Sequence, residues 1–181
     1  MTNRRNVIVH IATSADGYIA GPDGDLEWLT SRPKPKGFYG IGEFMKSVDT
    51  KLFGRKTYEA AMRMGGRFDT TGRTLVFSHH ARPADAPRAV EFVSEPINSF
   101  LTRLRDQPGK DIWLMGGGEL IASFLDADAI DDIVVTVMPV FIGDGIPLIA
   151  RRHRHTRLDL QGVERFDDGV VQLRYRVERK S

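Results

Sequence analysis

The sequence predicts a single α/β domain built on a mostly parallel sheet that finishes in an antiparallel edge. Three observations carry this. Short β-branched apolar runs alternate with segments whose apolar residues recur at helical spacing, the order of a parallel sheet with crossover helices. The last two strand-like segments instead meet across a short Asp-Asp-Gly turn at 167–169, which makes a hairpin. Finally, 181 residues with no composition break, repeat or low-complexity tract fit one domain, taken as residues 1–181.

The first strand falls at residues 7–12, a β-branched run of the kind buried on both faces. Gly and Pro residues at 21–24 and 32–37 flank a short apolar stretch, and the whole reads as one long loop. A helix is expected over 41–48, where Ile41, Phe44, Met45 and Val48 fall at i, i+3, i+4 and i+7. Residues 51–54 form a short strand feeding a second helix from about Thr57. Strands follow at 74–77 and 90–93, joined by the Pro-rich turn 82–87. A helix at 97–105 puts Ile97, Phe100, Leu101 and Leu104 on one face and ends at Gln107-Pro108-Gly109. The strand 112–115 runs into three glycines and a fourth helix, 119–125, and residues 133–141 are another β-branched run. In the final strand Val171, Leu173, Tyr175 and Val177 alternate with Gln172, Arg174 and Arg176, the period of a half-exposed strand.

Lys and Arg number 26 against 24 Asp and Glu, so a net charge of +2 gives little global pull toward nucleic acid or an acidic membrane. With no Cys, disulfides, thiolate nucleophiles and thiolate-bound metals are excluded. The apolar run near the start stops at Ala12, too short for a signal peptide's core, and no later stretch approaches a membrane span. The expected location is cytoplasmic.

In such a sheet, ligands bind in loops beyond the carboxyl ends of the parallel strands. Three of these loops are informative. Met115-Gly116-Gly117-Gly118-Glu119 turns a strand into a helix through consecutive glycines. Their missing side chains let backbone approach a phosphate, and N–H groups at a helix start attract anions. The plainer reading is a tight turn that needs positive φ. Neither the G-x-G-x-x-G fingerprint nor the P-loop spacing is met. Gly54-Arg55-Lys56-Thr57 lies at a second strand-to-helix junction. There Arg55 can fork onto a phosphate, Lys56 adds a charge and Thr57 can cap the helix. The alternative is a solvated basic pair. Ser78-His79-His80 offers neutral donors, and no third ligand stands at metal-binding spacing, so no metal is expected. Two anion-accepting junctions suit a dinucleotide, and a basic pair at one of them suits the extra ribose phosphate of NADP. In the first loop, Asp16-Gly17 is either a turn or an ionisable group held at the strand end. Trp28 is either a lid over an aromatic ligand or a core anchor.

Five segments, IATSADGYIAG at 11–21, GDLEWLTS at 24–31, LFGRKTYE at 52–59, IWLMGGGEL at 112–120 and VMPVFIGDGIPL at 137–148, cover nearly the whole chain. In order and spacing they resemble the dihydrofolate reductase superfamily, and more closely its riboflavin-biosynthesis pyrimidine reductases, the C-terminal domain of bifunctional deaminase-reductases. The resemblance implies a dihydrofolate reductase-like sheet of about eight strands with flanking helices, NADPH as cofactor, a small-molecule substrate and a homodimer. By position it implies that Ala12 and Ile19 lie against the nicotinamide. Gly54, Arg55, Lys56 and Thr57 would hold phosphates, with Ser78 and His79 beside the adenosine ribose phosphate. Gly116, Gly117, Gly118, Glu119 and Leu120 would take the pyrophosphate. Glu119 departs from dihydrofolate reductases, which commonly carry an arginine there, and Ala61-Met62 departs from the acidic pair of the pyrimidine reductases. The carboxylate of a dihydrofolate reductase's first helix falls at Phe38 or Gly40, with Glu43 on the same helix.

The expected activity is NADPH-dependent hydride transfer to a C=N or C=O carbon of a small heterocyclic or ribosylamino substrate. The best single guess is the 5-amino-6-(5-phosphoribosylamino)uracil of riboflavin synthesis. Asp16 and Glu43 are the catalytic candidates, and Trp28 and Tyr39 the substrate-binding ones. One competing reading is a dihydrofolate reductase acting on a pterin through Glu43. The other is a nucleotide- or nucleic-acid-binding module built on Arg151-Arg152-His153-Arg154-His155, a run that otherwise reads as a solvated loop.

Overall fold

Leu52 with Phe53, Leu75 with Val76 and Leu114 with Met115 are adjacent apolar pairs, so each strand sends large side chains to both faces and must be covered twice. The computed structural model, which describes residues 4–33, 35, 37–66, 68 and 72–179, meets that demand with a three-layer arrangement. The described chain begins β1 (Val7–Ser14), β2 (Tyr18–Ala20), α1 (Glu27–Thr30), α2 (Ile41–Ser47), β3 (Val48–Gly54) and α3 (Arg55–Arg63). It continues β4 (Arg73–Phe77), β5 (Val90–Val93), α4 (Ile97–Arg105), β6 (Asp111–Gly116) and α5 (Gly118–Asp126). It closes with β7 (Asp132–Met138), β8 (Ile146–Pro147), β9 (Leu158–Arg165) and β10 (Val171–Val177).

Eight strands form one sheet in the order β5-β4-β3-β6-β1-β7-β10-β9. Those from β5 to β7 are parallel, and β10 runs antiparallel to both β7 and β9. On one face Val7, Val9, Leu52, Leu75 and Leu114 pack against Phe100, Leu101 and Leu104 of α4 and Ile121, Phe124 and Leu125 of α5. On the other, Phe53, Val76 and Val90 pack against Tyr58 of α3. There α2 lays the Phe44 ring 4.5 Å from His10 and 5.2 Å from Trp113.

Several boundaries move for identifiable reasons. Val48 completes the apolar spacing of α2 but is extended and opens β3, which is three residues longer than expected. The next helix begins at Arg55, with Gly54 as its N-cap and no side-chain cap, so Thr57 stands inside the first turn and does not cap it. β7 stops at Met138 and not at residue 141, because Pro139 has no N–H for the ladder. The long loop contains α1; just before it β2 pairs with β8 in a separate small sheet, and just after it comes a single 3-10 turn at Phe38–Gly40. The last strand keeps its period, but its faces are not simply inside and outside. Gln172 is 1% exposed, whereas Val171, Leu173 and Tyr175 are only half-buried.

Burial beneath α2, and then the Arg174 guanidinium, hold the His10 imidazole down at about pKa 4 against an ordinary 6.5. Between those values the unfolded chain binds a proton that the folded one refuses. This contribution is therefore complete above pH 6.5 and lost as pH falls toward 4, with a ceiling on the order of 3 kcal/mol. Urea unfolding of His10→Phe, which keeps a ring beside Phe44, is expected to lose less stability than the parent across that window. Equal losses would show that His10 does not set the acid limb.

Candidate active site

The carboxyl ends of β1, β3, β4, β6 and β7 lie along one edge of the sheet. β6 and β1 are neighbours whose onward connections leave on opposite faces, α5 over one and α2 over the other. Such a switch point opens a crevice beyond the strand ends. The ladders agree: β1 follows β7 as far as Ser14↔Met138, but its pairing with β6 ends at Val9↔Leu114.

The two Gly-rich junctions meet at this crevice. A Cβ on Gly54 would lie 3.4 Å from the Gly117 nitrogen and 3.5 Å from the Gly116 oxygen. A Cβ on Gly117 would lie 3.0 Å from Thr57 Oγ1 and 3.9 Å from Ile19 Cδ1. Ile19, Gly54, Thr57, Gly116, Gly117 and, through a 3.6 Å approach to Gly54, Leu120 are thus brought together. Each glycine has its own reason. Gly116 has φ +102°, a conformation side chains rarely adopt. Gly118 faces the Pro147 oxygen at 2.4 Å from where its Cβ would stand, so the 147–148 backbone could not pass over any larger residue. The turn reading therefore accounts for Gly116, close approach of the 147–148 backbone for Gly118, and close approach between the junctions for Gly117. Neither α3 nor α5 has a side-chain cap, so both helix starts present uncapped backbone N–H groups at this junction.

The flanking charges are deployed unequally. Arg55 Nε donates to Glu59, its Nη1 donates to the Ala81 oxygen at 3.1 Å, and its guanidinium lies 5.7 Å from the Phe92 ring. This aims it toward β4 and β5, where the half-buried Ser78 bonds His80 and the His79 side is exposed. Lys56 is exposed. Glu119 is exposed too, and Arg152 neutralises it at 2.8 Å while also holding Asp126 at 2.7 Å. Arg154 likewise donates to Asp126 at 2.9 Å. Two of the three arginines in the basic run are thus committed to α5, which leaves little of it to face a polyanion.

On the β7 side of the crevice, Ala12, Trp28 and Tyr39 join Leu29, Met138, Val140, Phe166 and Val170 in one apolar cluster. Tyr39 is buried in a left-handed backbone conformation (φ 54°, ψ 35°), between Gly37 and Gly40 at φ 79° and 78°. Its hydroxyl donates to Asp168, which is also held by Arg32 at 3.7 Å. Burial and Asp168 push the phenol up, while the Tyr39 hydrogen bond holds the Asp168 carboxyl down. The Tyr39 backbone carbonyl oxygen accepts from Gln172 Nε2 at 3.1 Å, and the same amide donates to Thr136 Oγ1 at 3.0 Å. Trp28 Nε1 and Arg32 Nε are buried without a hydrogen-bond partner among the described residues. Sequence reasoning missed Arg32, Thr136, Asp168 and Gln172. Only Thr136, polar inside the β-branched run of β7, signalled anything, whereas Gln172 alternates with Arg174 and Arg176 and reads as exposed.

Asp16 and Glu43 are not alike. The Asp16 carboxylate accepts from Gly143 N–H at 2.8 Å and Ile142 N–H at 3.2 Å. Ser14 and then these N–H groups hold its carboxyl below the ordinary carboxylate range. Glu43 lies on the exposed side of α2, paired with Lys46 at 2.7 Å, while its neighbour Phe44 faces inward. Two cavities of about 260 and 310 Å³ lie at the opposite edge, by Asp128, Ala129 and Arg179, and no predicted site residue lines either.

The model of the RibD C-terminal domain family matches residues 5–172. An uncharacterised protein of Bacillus subtilis (strain 168), YwjB, is 36% identical over 171 residues, which is 94% of this chain and 97% of that protein. Among solved structures, a putative riboflavin biosynthesis protein from Shewanella sp. PV-4 superposes with a TM-score of 0.83 at 29% identity, covering 96% of this chain and 99% of that one. Dihydrofolate reductase from Enterococcus faecalis, solved with NADP(H), has a TM-score of 0.68 at 17% identity, covering 96% of each chain, and so shares the fold.

Proposed function

The chain belongs to the RibD C-terminal domain family of the dihydrofolate reductase superfamily, and from that premise we propose that it is an NADPH-dependent reductase. Its substrate is a small heterocycle of the 5-amino-6-(5-phosphoribosylamino)uracil type. One observation carries the reading: two uncapped helix starts, each of a nine-residue helix, converge across Gly54 and Gly117 in a space that a Cβ would fill. That is the donor set a pyrophosphate requires, and the acid in the first turn of α5, Glu119, is paired with Arg152.

In this reading Gly54, Lys56, Thr57 and Gly116 to Leu120 hold the cofactor's phosphates. Arg55, Ser78 and His79 lie toward its ribose phosphate, and Ala12 and Ile19 toward its nicotinamide. Bound NADPH supplies a hydride. The chain's task is to set the accepting carbon against it and exclude water, for which the Trp28, Tyr39 and Phe166 cluster provides apolar walls. The unpartnered Trp28 Nε1 and Arg32 Nε are donors suited to a heterocycle's carbonyl oxygens. Asp16 remains ionised and holds the 142–143 turn over the end of β1. Glu43 is exposed and paired with Lys46 on the outer side of α2, away from the apolar cluster of Ala12, Trp28 and Tyr39, so nothing favours the pterin reading. The family resemblance further supports a homodimer.

Calorimetric titration with NADPH, NADH and folate tests this directly: tight NADPH, weak NADH and no folate binding are expected, and failure to bind either dinucleotide overturns it. Arg55→Ala is expected to raise the NADPH dissociation constant roughly 10–100-fold, the range for a lost charge-assisted hydrogen bond, with NADH unchanged. Equal losses for both would assign Arg55 to its contacts with Glu59 and Phe92.

A further inference from the structure

We infer, on the dinucleotide reading above, that Arg152 is a further phosphate-binding residue, one that Glu119 holds beside the start of α5 and yields to an incoming pyrophosphate. α5 begins at Gly118 with Gly117 as its N-cap, so Glu119 is its second residue. Helical side chains lean toward the helix start, which sets this carboxylate, 81% exposed, close to the uncapped N–H groups. Arg152 is delivered to the same place by the chain that crosses Gly118. Ala150 N–H donates to the Gly118 oxygen at 3.1 Å, and Arg152 stands two residues further on. From there its guanidinium lies along one stripe of the helix. Nη2 donates to Glu119 at 2.8 Å, Nη1 donates to Asp126 at 2.7 Å, and both reach Ser123 Oγ at 3.4 Å.

The two carboxylates are not held alike. Asp126 also accepts from Arg154 Nε at 2.9 Å, whereas Arg152 is the one cation paired with Glu119 among the described residues. An acid is favoured at a helix start, but a phosphate competes for the same N–H groups and repels it. A pyrophosphate carries more charge than one carboxylate and therefore wins that contest. Glu119 then turns outward into water, Nη1 keeps Asp126, and Nη2 passes from Glu119 to the phosphate. The planar fork of a guanidinium suits this, because one edge can stay on a carboxylate while the other engages a second anion. A single cation is released and not a basic patch, since Arg154 stays on Asp126. The competing reading is a staple, in which Arg152 only ties the chain after Ala150 to α5 and Glu119 serves the tie.

The two roles differ in the sign of one effect, which calorimetric titration of the parent, Arg152→Gln and Glu119→Gln with NADPH and with NADH measures. Arg152→Gln is expected to raise both dissociation constants by the same factor, roughly 10-fold, because the pyrophosphate is common to both cofactors. Glu119→Gln is expected to lower both about three-fold, the scale of one charge at a helix start, because it removes the acid that competes for Arg152. A staple predicts the reverse for Glu119→Gln, which would loosen the tie and weaken binding. Inorganic pyrophosphate gives a readout without the cofactor: it is expected to raise the melting temperature of the parent more than that of Arg152→Gln. Both residues lie at the surface, where ion pairs contribute little to folding, and urea unfolding of the variants checks this. A parent that binds neither dinucleotide overturns the reductase reading and the role of Arg152 with it. A parent that binds, with affinity unchanged in Arg152→Gln or not improved in Glu119→Gln, overturns the role of Arg152 alone.

Discussion

Gly117→Ala is expected to weaken NADPH binding about 100-fold, roughly 3 kcal/mol, in a chain that still folds. Gly117 has φ −78°, which any residue adopts, so the substitution carries no penalty from a left-handed backbone. What the added methyl meets is the Thr57 hydroxyl at 3.0 Å and the Ile19 methyl at 3.9 Å, both of which can yield by a few tenths of an ångström. It therefore occupies the gap between the starts of α3 and α5 without breaking the backbone that frames it. Gly118→Ala provides the contrast. Its Cβ would stand 2.4 Å from the Pro147 oxygen and 3.3 Å from the Leu148 oxygen, two backbone atoms that cannot move without shifting β8. That variant is expected to lose stability, by about 3 kcal/mol. Parallel calorimetry and urea unfolding separate the two effects. A folded Gly117→Ala protein with parent affinity would show that the gap between the helix starts is not where the phosphates sit.

The same glycines mark how far the sequence could be read. Three in a row between an apolar strand and a helix were legible as a place where backbone must come close to something. Their separate partners were not, because Thr57, Pro147 and Ile19 come from three other segments and no local period announces them. The parallel sheet was legible because its strands are long apolar runs. β2 and β8, at three and two residues, are too short to carry a period. The fate of the last strand was hidden for another reason. Alternation fixes which side chains share a face, but not which face the rest of the chain covers. Gln172 is buried because the left-handed turn at Tyr39 lies over it, and the apolar face opposite is left half open. On the substrate side, Trp28 and Tyr39 were legible as candidates and do share a cluster with Ala12. The Asp168 that receives the Tyr39 hydroxyl comes from the distant hairpin turn, where Asp-Asp-Gly read as a turn and nothing more.

Asp16→Asn is expected to lower turnover roughly 100-fold, the cost of misplacing a reacting group by about 1 Å, and to weaken NADPH binding with it. The carboxylate receives Gly143 and Ile142 N–H groups, and the chain beyond them pairs β8 with β2, sends Leu148 N–H to the Gly17 oxygen and Ala150 N–H to the Gly118 oxygen. Residues 142–150 therefore strap the first loop to the start of α5, and Asp16 is their anchor. An asparagine offers one acceptor oxygen where the carboxylate offers two, and turns an amide donor toward N–H groups. The alternative role, a proton relay to substrate, makes an opposite prediction. A carboxyl held below the ordinary range is ionised at neutral pH, so a relay acting as an acid would lose activity as pH rises through that depressed pKa. An anchor keeps full activity above the ordinary carboxylate range and loses it only as pH falls through the depressed value, when protonation breaks the contacts. The pH dependence of kcat/KM in the parent, with NADPH affinity measured in Asp16→Asn, decides between them. Activity confined to the acid side, with cofactor affinity untouched by the substitution, would overturn the anchor and make Asp16 the proton donor.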